Sequence, residues 1–148
     1  MATSGITLSV GLDGDTLEMV LASVREFARA RLGDAVLLDL DARDEMPLDV
    51  VREMCGGELG IQLLFVPEEY GGLGGGAFDI YRVCEEMARI DVGVATGVLA
   101  TFLGSDPIRV GGTPEQRRRW LTAIGERGLL MAYAATEPEA GSDLAALR

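Results

Sequence analysis

The sequence contains no histidine. This absence removes the most common general base, the usual catalytic triads and most zinc sites. Cysteine is scarce as well, since Cys55 and Cys84 lie far apart and form no CxxC pair. We therefore expect two small buried side chains in a reducing compartment, and no metal site. No apolar run reaches the length of a membrane span, and the first residues lack the pattern of a signal peptide, so we predict a soluble, cytoplasmic protein.

The charge balance excludes further classes of partner. The 148 residues carry a formal net charge of −11, which would repel phosphate backbones and anionic membrane surfaces. We therefore expect neither nucleic acid nor membrane as a partner. Hydrophobic residues make up 48% of the chain, so we expect a folded core and not a disordered chain. The length fits one domain or a piece of a larger protein.

Apolar residues recur with helical spacing over most of the chain, which predicts a mainly α-helical fold. The predicted helices cover residues 15–33, 47–57, 77–91, 92–106 and 113–128. Asp15 is predicted to cap the first helix, and Gly33 is predicted to end it. Residues 34–45 are interpreted as a short connector.

Two of these helices carry more specific predictions. Thr113 and Gln116 have the spacing of a capping box around Pro114. The helix over 92–106 has no charged face, and its glycines would let another segment approach its backbone closely. The helix over 77–91 is predicted to bury a face formed by Phe78, Tyr81, Cys84, Met87 and Ala88.

The pattern changes after residue 128. "LLMAYAAT" is continuously apolar and is followed by turn residues, which predicts a buried strand over 129–136. A single strand cannot satisfy its own backbone groups. We therefore divide the chain into a helical domain, residues 1–128, and the start of a β-domain, residues 129–148.

A glycine-rich turn offers one candidate for cofactor binding. Gly72, Gly74 and Ala77 fit a loose G-x-G-x-x-A dinucleotide fingerprint. Glu68 and Glu69 stand beside these glycines, and carboxylates there would oppose a pyrophosphate. A turn between two helices is the favoured interpretation.

Small polar residues near the end of the chain offer a second candidate. Thr136 and Ser142 supply hydroxyl groups, and backbone N–H groups around Gly141 could cradle a phosphate. A plain turn followed by a helix cap explains the same residues. No pair of carboxylates stands out as an acid and base, so we name no catalytic residue.

The same stretch, "YAATEPEAGSD" over 133–143, closely resembles a motif of the acyl-CoA dehydrogenase family. Three further stretches resemble family motifs in the same order: "VPEEYGGLGG" over 66–75, "EEMARID" over 85–91 and "GTPEQRRRWLTAIGERG" over 112–128. The resemblance extends from about residue 15 to the end. It implies the N-terminal helical domain of that fold, together with the first strand of its middle β-domain.

The resemblance also implies a cofactor and a set of contacts. In that family the motif holds FAD, so Tyr133, Ala135 and Thr136 would lie along the flavin. Gly141 and Ser142 would meet the pyrophosphate or the acyl-CoA substrate. The helix over 92–104 would form a wall of the acyl pocket, which makes Thr96, Leu99 and Leu103 candidate substrate contacts. Simple core packing explains these three residues equally well.

The implied reaction is the α,β-dehydrogenation of an acyl-CoA thioester in fatty acid metabolism. A glutamate base removes the α-proton, hydride passes to FAD, and an electron-transfer flavoprotein accepts the electrons. The family's base and most of its tetramer interface lie in polypeptide that these 148 residues do not include. We therefore expect an N-terminal portion or subunit of an oligomeric, homotetrameric enzyme, inactive without a companion polypeptide. The alternative is a non-catalytic helical interaction module that keeps the fold without cofactor.

Overall fold

The computed structural model describes residues 11–57 and 59–148, and these residues form a mainly α-helical fold, as predicted. The α-helices are α1 (Gly14–Arg31), α2 (Asp34–Arg43), α3 (Leu48–Gly56), α4 (Ala77–Ile90), α5 (Val92–Gly111) and α6 (Pro114–Arg127). Short 3₁₀ turns occupy Ile61–Phe65, Glu68–Tyr70 and Leu144–Ala146. No helix in the described ranges is both long and apolar enough to cross a membrane.

The main core lies where α1, α3, α4 and α5 meet. Leu21 and Val24 on α1 are fully buried, as the helical spacing predicted, and they join Met54, Val83 and Val98 in one cluster. A smaller cluster of Val66, Leu121 and Ile124 lies beneath α6. Helix α5 contacts α3, α4 and α6, so it is the central helix of the domain.

Local capping signals fix two helix starts. The Thr113 hydroxyl accepts the Gln116 N–H at 3.2 Å, and Gln116 Oε1 accepts the Thr113 N–H at 2.8 Å, which confirms the predicted capping box. The prediction of Asp15 as the cap of α1 is wrong. Asp13 takes that role, because its carboxylate accepts the Thr16 N–H at 2.9 Å and the helix begins at Gly14.

The predicted connector over residues 34–45 is also wrong, because most of it is helix α2. Gly33 does not simply end α1, since Leu32 is its C-cap and Gly33 is the extended N-cap of α2. Helix α2 buries no residue and ends at Asp44 in a left-handed conformation, with φ of 53°. A helix with such weak burial leaves little periodic signal in the sequence.

Helix α4 is rotated relative to the prediction. Phe78 and Tyr81 were expected to face inward, but they are 64% and 60% exposed, respectively. Met87 is buried as predicted, together with Asp79 and Val83, but Ala88 is exposed and Cys84 is only half-buried. The Asp79 carboxylate faces inward because it accepts backbone N–H groups there, and this orientation turns the two aromatic rings outward.

The predicted strand over 129–136 is not formed. Within residues 11–57 and 59–148 the only β-type pairing is the isolated bridge between Glu137 and Ala140. Residues 129–136, called the extended segment below, belong to neither a helix nor a ladder. The apolar pattern alone therefore did not predict whether the pairing that defines a strand would form.

Candidate functional site

The extended segment, residues 129–136, leaves α6 through a tight glycine contact. Gly128 ends the helix in a left-handed conformation, with φ of 59°, and its N–H bonds the Ile124 carbonyl at 3.0 Å. A Cβ at Gly128 would overlap Cα of Gly56 and lie 2.8 Å from the Cys55 carbonyl oxygen. The ends of α6 and α3 can therefore approach this closely only because both residues are glycine.

Side chains at the start of the extended segment alternate between two clusters. Leu129 and Met131 pack against the cluster beneath α6, whereas Leu130 packs against the main core. This alternation is the period of an extended chain. It anchors the start of the segment beside α5 and α6, and the alternation does not continue over Ala132, Tyr133 and Ala134, which are all exposed.

Beyond Met131 the extended segment turns towards solvent. Tyr133 is 53% exposed, Thr136 is exposed and Ala135 is half-buried. From Leu130 to Thr136, the Met131 N–H is the single backbone N–H that makes a hydrogen bond within the described part of the chain. The segment therefore presents an exposed ring, an exposed hydroxyl and free backbone donors on a fixed base.

A compact turn follows the extended segment. Glu137 and Ala140 exchange backbone hydrogen bonds of 2.9 and 3.1 Å, and Ala140 is buried. Gly141 and Ser142 are exposed next to it, with open space around Gly141. Gly141 is not in the left-handed region. The Asp143 carboxylate accepts the Ala145 N–H at 3.2 Å, so the helix-cap interpretation applies at that residue.

The three candidate substrate contacts lie along α5 but differ in exposure. Thr96 is exposed, and its hydroxyl donates to the Val92 carbonyl of its own helix at 2.7 Å. Leu99 packs against the main core, whereas Leu103 is 54% exposed. Core packing therefore explains Leu99, whereas Thr96 and Leu103 lie on the outer face of α5. Beyond Leu103 that face carries the exposed ion pair between Asp106 and Arg109.

The glycine-rich turn over 71–76 does not form a dinucleotide site. The N–H groups of Gly72, Gly74 and Gly75 all bond backbone carbonyls, at 3.2, 3.0 and 3.1 Å respectively, so they are not free to hold a phosphate. A Cβ at Gly72 would overlap the Val66 carbonyl oxygen. These glycines fold the turn tightly on itself, and no strand in the described ranges precedes or follows them.

The titratable groups with shifted pKa values lie outside the extended segment. Burial raises the pKa of the Cys55 thiol to about 12 and that of Cys84 to about 11, and both cysteines are free. The hydrogen bond from Arg25 lowers the pKa of Glu86, which pairs with it at 2.9 Å. No group of three or more potential metal ligands occurs among residues 11–57 and 59–148.

Two surface cavities lie away from the extended segment. One of about 310 Å³ is lined by residues of α3, α6 and the turn at Ile61–Phe65. The other, of about 390 Å³, lies between α2 and the start of α5. Neither is lined by residues 129–142. The candidate site therefore lies outside both of these cavities.

Sequence reasoning missed two residues that position the extended segment. Thr101 accepts the Met131 N–H at 3.2 Å through its hydroxyl oxygen. A Cβ at Gly104 would lie 2.9 Å from the Ala132 carbonyl oxygen. The glycines of this apolar helix predicted a close approach of some segment. The sequence pattern did not identify which glycine or which segment.

Comparison with known proteins agrees with this architecture. The family described as "Acyl-CoA dehydrogenase, N-terminal domain" matches residues 14–128. An acyl-CoA dehydrogenase of Bacillus subtilis is 34% identical over 133 residues, which cover 88% of this chain and 34% of that protein. The chain thus spans about a third of the length of that relative.

Solved structures give the same result. Butyryl-CoA dehydrogenase from Megasphaera elsdenii matches with a TM-score of 0.78 and 30% identity, over 88% of this chain and 34% of that one. Acyl-CoA dehydrogenase from Bacillus anthracis, solved in complex with FAD, matches with a TM-score of 0.71 and 31% identity. That match covers 88% of this chain and 23% of the other.

Proposed function

This chain belongs to the acyl-CoA dehydrogenase N-terminal domain family, and we propose that it serves as the N-terminal part of a FAD-dependent acyl-CoA dehydrogenase. In this role its helical domain supports an acyl-CoA site, and residues 133–142 contact FAD. One observation carries the proposal. An extended segment with free donors and exposed hydroxyls is held against α5 at the buried residues Thr101 and Gly104.

The groups on this surface fit a flavin. The exposed ring of Tyr133 and the free backbone N–H groups after Met131 can line a flat heterocycle with polar edges. The hydroxyls of Thr136 and Ser142 are exposed and make no hydrogen bond within the described ranges, so they are available to a ligand. Gly141 has open space around it, which allows a bulky anionic group such as a pyrophosphate to approach.

The outer face of α5 suits an acyl chain. Thr96 has already used its hydroxyl proton within the helix, so it presents little polarity there. Leu103 adds an exposed apolar side chain one turn before Pro107. In the proposed reaction the α-proton passes to a base and the β-hydrogen leaves as hydride, which FAD accepts when it is bound. We place the base in polypeptide outside these 148 residues.

The whole-enzyme activity depends on that additional polypeptide. Because the chain spans about a third of its relative's length, we propose that the remaining walls come from the rest of the enzyme or from a companion subunit. The proposed complex is a homotetramer that acts in fatty acid metabolism in the cytoplasm. Its proposed electron acceptor is an electron-transfer flavoprotein.

The test uses the complete gene product, together with any subunit that copurifies with it. We expect visible flavin absorbance, and we expect anaerobic addition of acyl-CoA thioesters of different chain lengths to bleach it. Thr136→Val and Ser142→Ala should each weaken flavin retention. Ser23→Ala is the matched control, because that exposed hydroxyl bonds only its own helix, at the Met19 carbonyl. A colourless protein that no acyl-CoA alters would refute the proposal and favour the helical interaction module.

A further inference from the structure

We propose that Thr101 and Gly104 form a positioning site, here called the α5 notch, that holds the extended segment in register for FAD binding. This inference rests on the proposed function. Neither residue is expected to touch the cofactor. Both act through Met131 and Ala132, which lie directly before the residues placed at the flavin.

Thr101 supplies the polar half of the α5 notch. Its side chain is fully buried, and its hydroxyl oxygen accepts the Met131 N–H at 3.2 Å. Helical hydroxyls usually bond their own helix, as Ser105 does at the Phe102 carbonyl, 2.8 Å away. Thr101 instead uses its oxygen on another segment, and that bond is the one backbone N–H anchor between Leu130 and Thr136 in the described part of the chain.

Gly104 supplies the steric half, one helical turn later on the same face. It is buried, and an added Cβ would lie 2.9 Å from both the Ala132 carbonyl oxygen and Cβ of Met131. Those atoms belong to backbone and to the base of a packed side chain, so they cannot easily move aside. Glycine is unfavourable inside a helix, and here it permits a contact that any other residue would block.

Together the two contacts fix the register of the extended segment. Side chains of an extended chain alternate between opposite sides, so a shift of one residue would reverse the direction of each. With Met131 held by Thr101 and Ala132 seated on Gly104, Tyr133 is directed to its exposed position.

The test uses variants of the complete enzyme. Thr101→Val keeps the volume but cannot accept the Met131 N–H, whereas Thr101→Ser retains the hydroxyl oxygen. Ser105→Ala is the matched control, because it removes a buried hydroxyl from the same helix without contacting the extended segment. For Gly104→Ala the matched control is Gly111→Ala at the end of α5, where an added Cβ meets nothing within 4 Å.

The measurements are the FAD dissociation constant, the visible spectrum of the bound flavin and the thermal midpoint. We expect Thr101→Val and Gly104→Ala to weaken FAD binding about tenfold, the equivalent of one lost hydrogen bond. We also expect both to shift the flavin spectrum. Thr101→Ser should remain within about twofold of wild type.

Ser105→Ala should lower the thermal midpoint without changing the flavin spectrum, because its hydroxyl serves only the helix. Two results would overturn the inference. If Thr101→Val matched Ser105→Ala in both FAD affinity and spectrum, Thr101 would be structural only, although the proposed function would stand. If the wild-type enzyme bound no FAD at all, the proposed function would fail with it.

Discussion

Replacement of Asp79 by alanine tests how the start of the helical domain is held together. Asp79 is buried at the first turn of α4. Its Oδ2 accepts the Leu12 N–H at 2.8 Å and the Gly76 N–H at 2.8 Å. One carboxylate oxygen therefore ties the chain before α1 to the start of α4, across 67 residues of sequence. In Asp79→Ala both donors lose their acceptor.

The size of the effect follows from these two bonds. A hydrogen bond to a charged group contributes about 1.5–3 kcal/mol. Leu12 and Gly76 are half-buried, so water can partly replace the lost acceptor, and we take the lower end for each bond. The expected loss is about 3 kcal/mol of unfolding free energy. With a urea dependence of about 2 kcal/mol per molar, the unfolding midpoint should fall by about 1.5 M.

Urea unfolding of the purified protein, followed by far-ultraviolet circular dichroism and Trp120 fluorescence, measures this shift. Asp79→Asn keeps an oxygen acceptor and should lose about half as much. Asp13→Ala is the matched control, because that exposed carboxylate caps α1 through the Thr16 N–H and its loss should lower the midpoint less. If Asp79→Ala lost no more stability than Asp13→Ala, the buried tie between Leu12 and Gly76 would not exist as described.

Two further predictions concern titratable groups. Arg25 lowers the pKa of Glu86 below its ordinary value of 4.5. The ion pair therefore stabilises the fold above pH 4.5, and this stabilisation is lost as the pH falls through the lowered pKa of Glu86. The stability advantage of wild type over Glu86→Gln, measured by urea midpoints from neutral to acidic pH, should therefore shrink below 4.5; an advantage independent of pH would contradict it. Burial raises the pKa of the Cys55 thiol to about 12, so this thiol should not react with iodoacetamide until urea unfolds the protein. Cys55→Ser is the control, and rapid alkylation of Cys55 in the native protein would disprove its burial.

The sequence predicted those parts of the fold that local interactions determine. Thr113, Pro114 and Gln116 carry a complete helix start within four residues, and the structure places them as predicted. The buried stripe of α1 was equally clear, because Leu17, Leu21 and Val24 share one helical face. In each case the residues that decide the outcome are close in sequence, so the pattern alone contains the information.

Tertiary contacts decided the cases that the sequence got wrong. The inward face of α4 depends on Asp79 and on the pairing of Glu86 with Arg25, which lies 61 residues away. Phe78 is more hydrophobic than Asp79, so periodicity alone placed the aromatic ring inside. A carboxylate that satisfies backbone donors can be buried at lower cost than hydrophobicity suggests, and here that arrangement is observed.

The candidate site likewise contains residues that the local sequence identified and one residue that only a distant contact identifies. The resemblance to a family motif identified Tyr133, Thr136 and Ser142 from residues that are neighbours in sequence, and their contact with FAD stays a prediction. Thr101 could not be found in this way, because its significance depends on a hydrogen bond to Met131, 30 residues later. An unremarkable threonine in an apolar helix gives no sequence signal of its own.

The helical domain buries its apolar side chains, whereas the extended segment leaves most of its backbone N–H groups without a hydrogen bond in the described ranges. Around Leu21 and Val98 the helices close on a fully buried core, whereas the segment after Met131 leaves its donors unbonded within the described ranges. Exposed donors bond water in the free chain and remain available to a ligand. A bound flavin would accept hydrogen bonds from them, and an acyl chain would cover exposed apolar side chains such as Leu103. This complementarity, together with the family membership, is why we favour cofactor binding over a purely structural role.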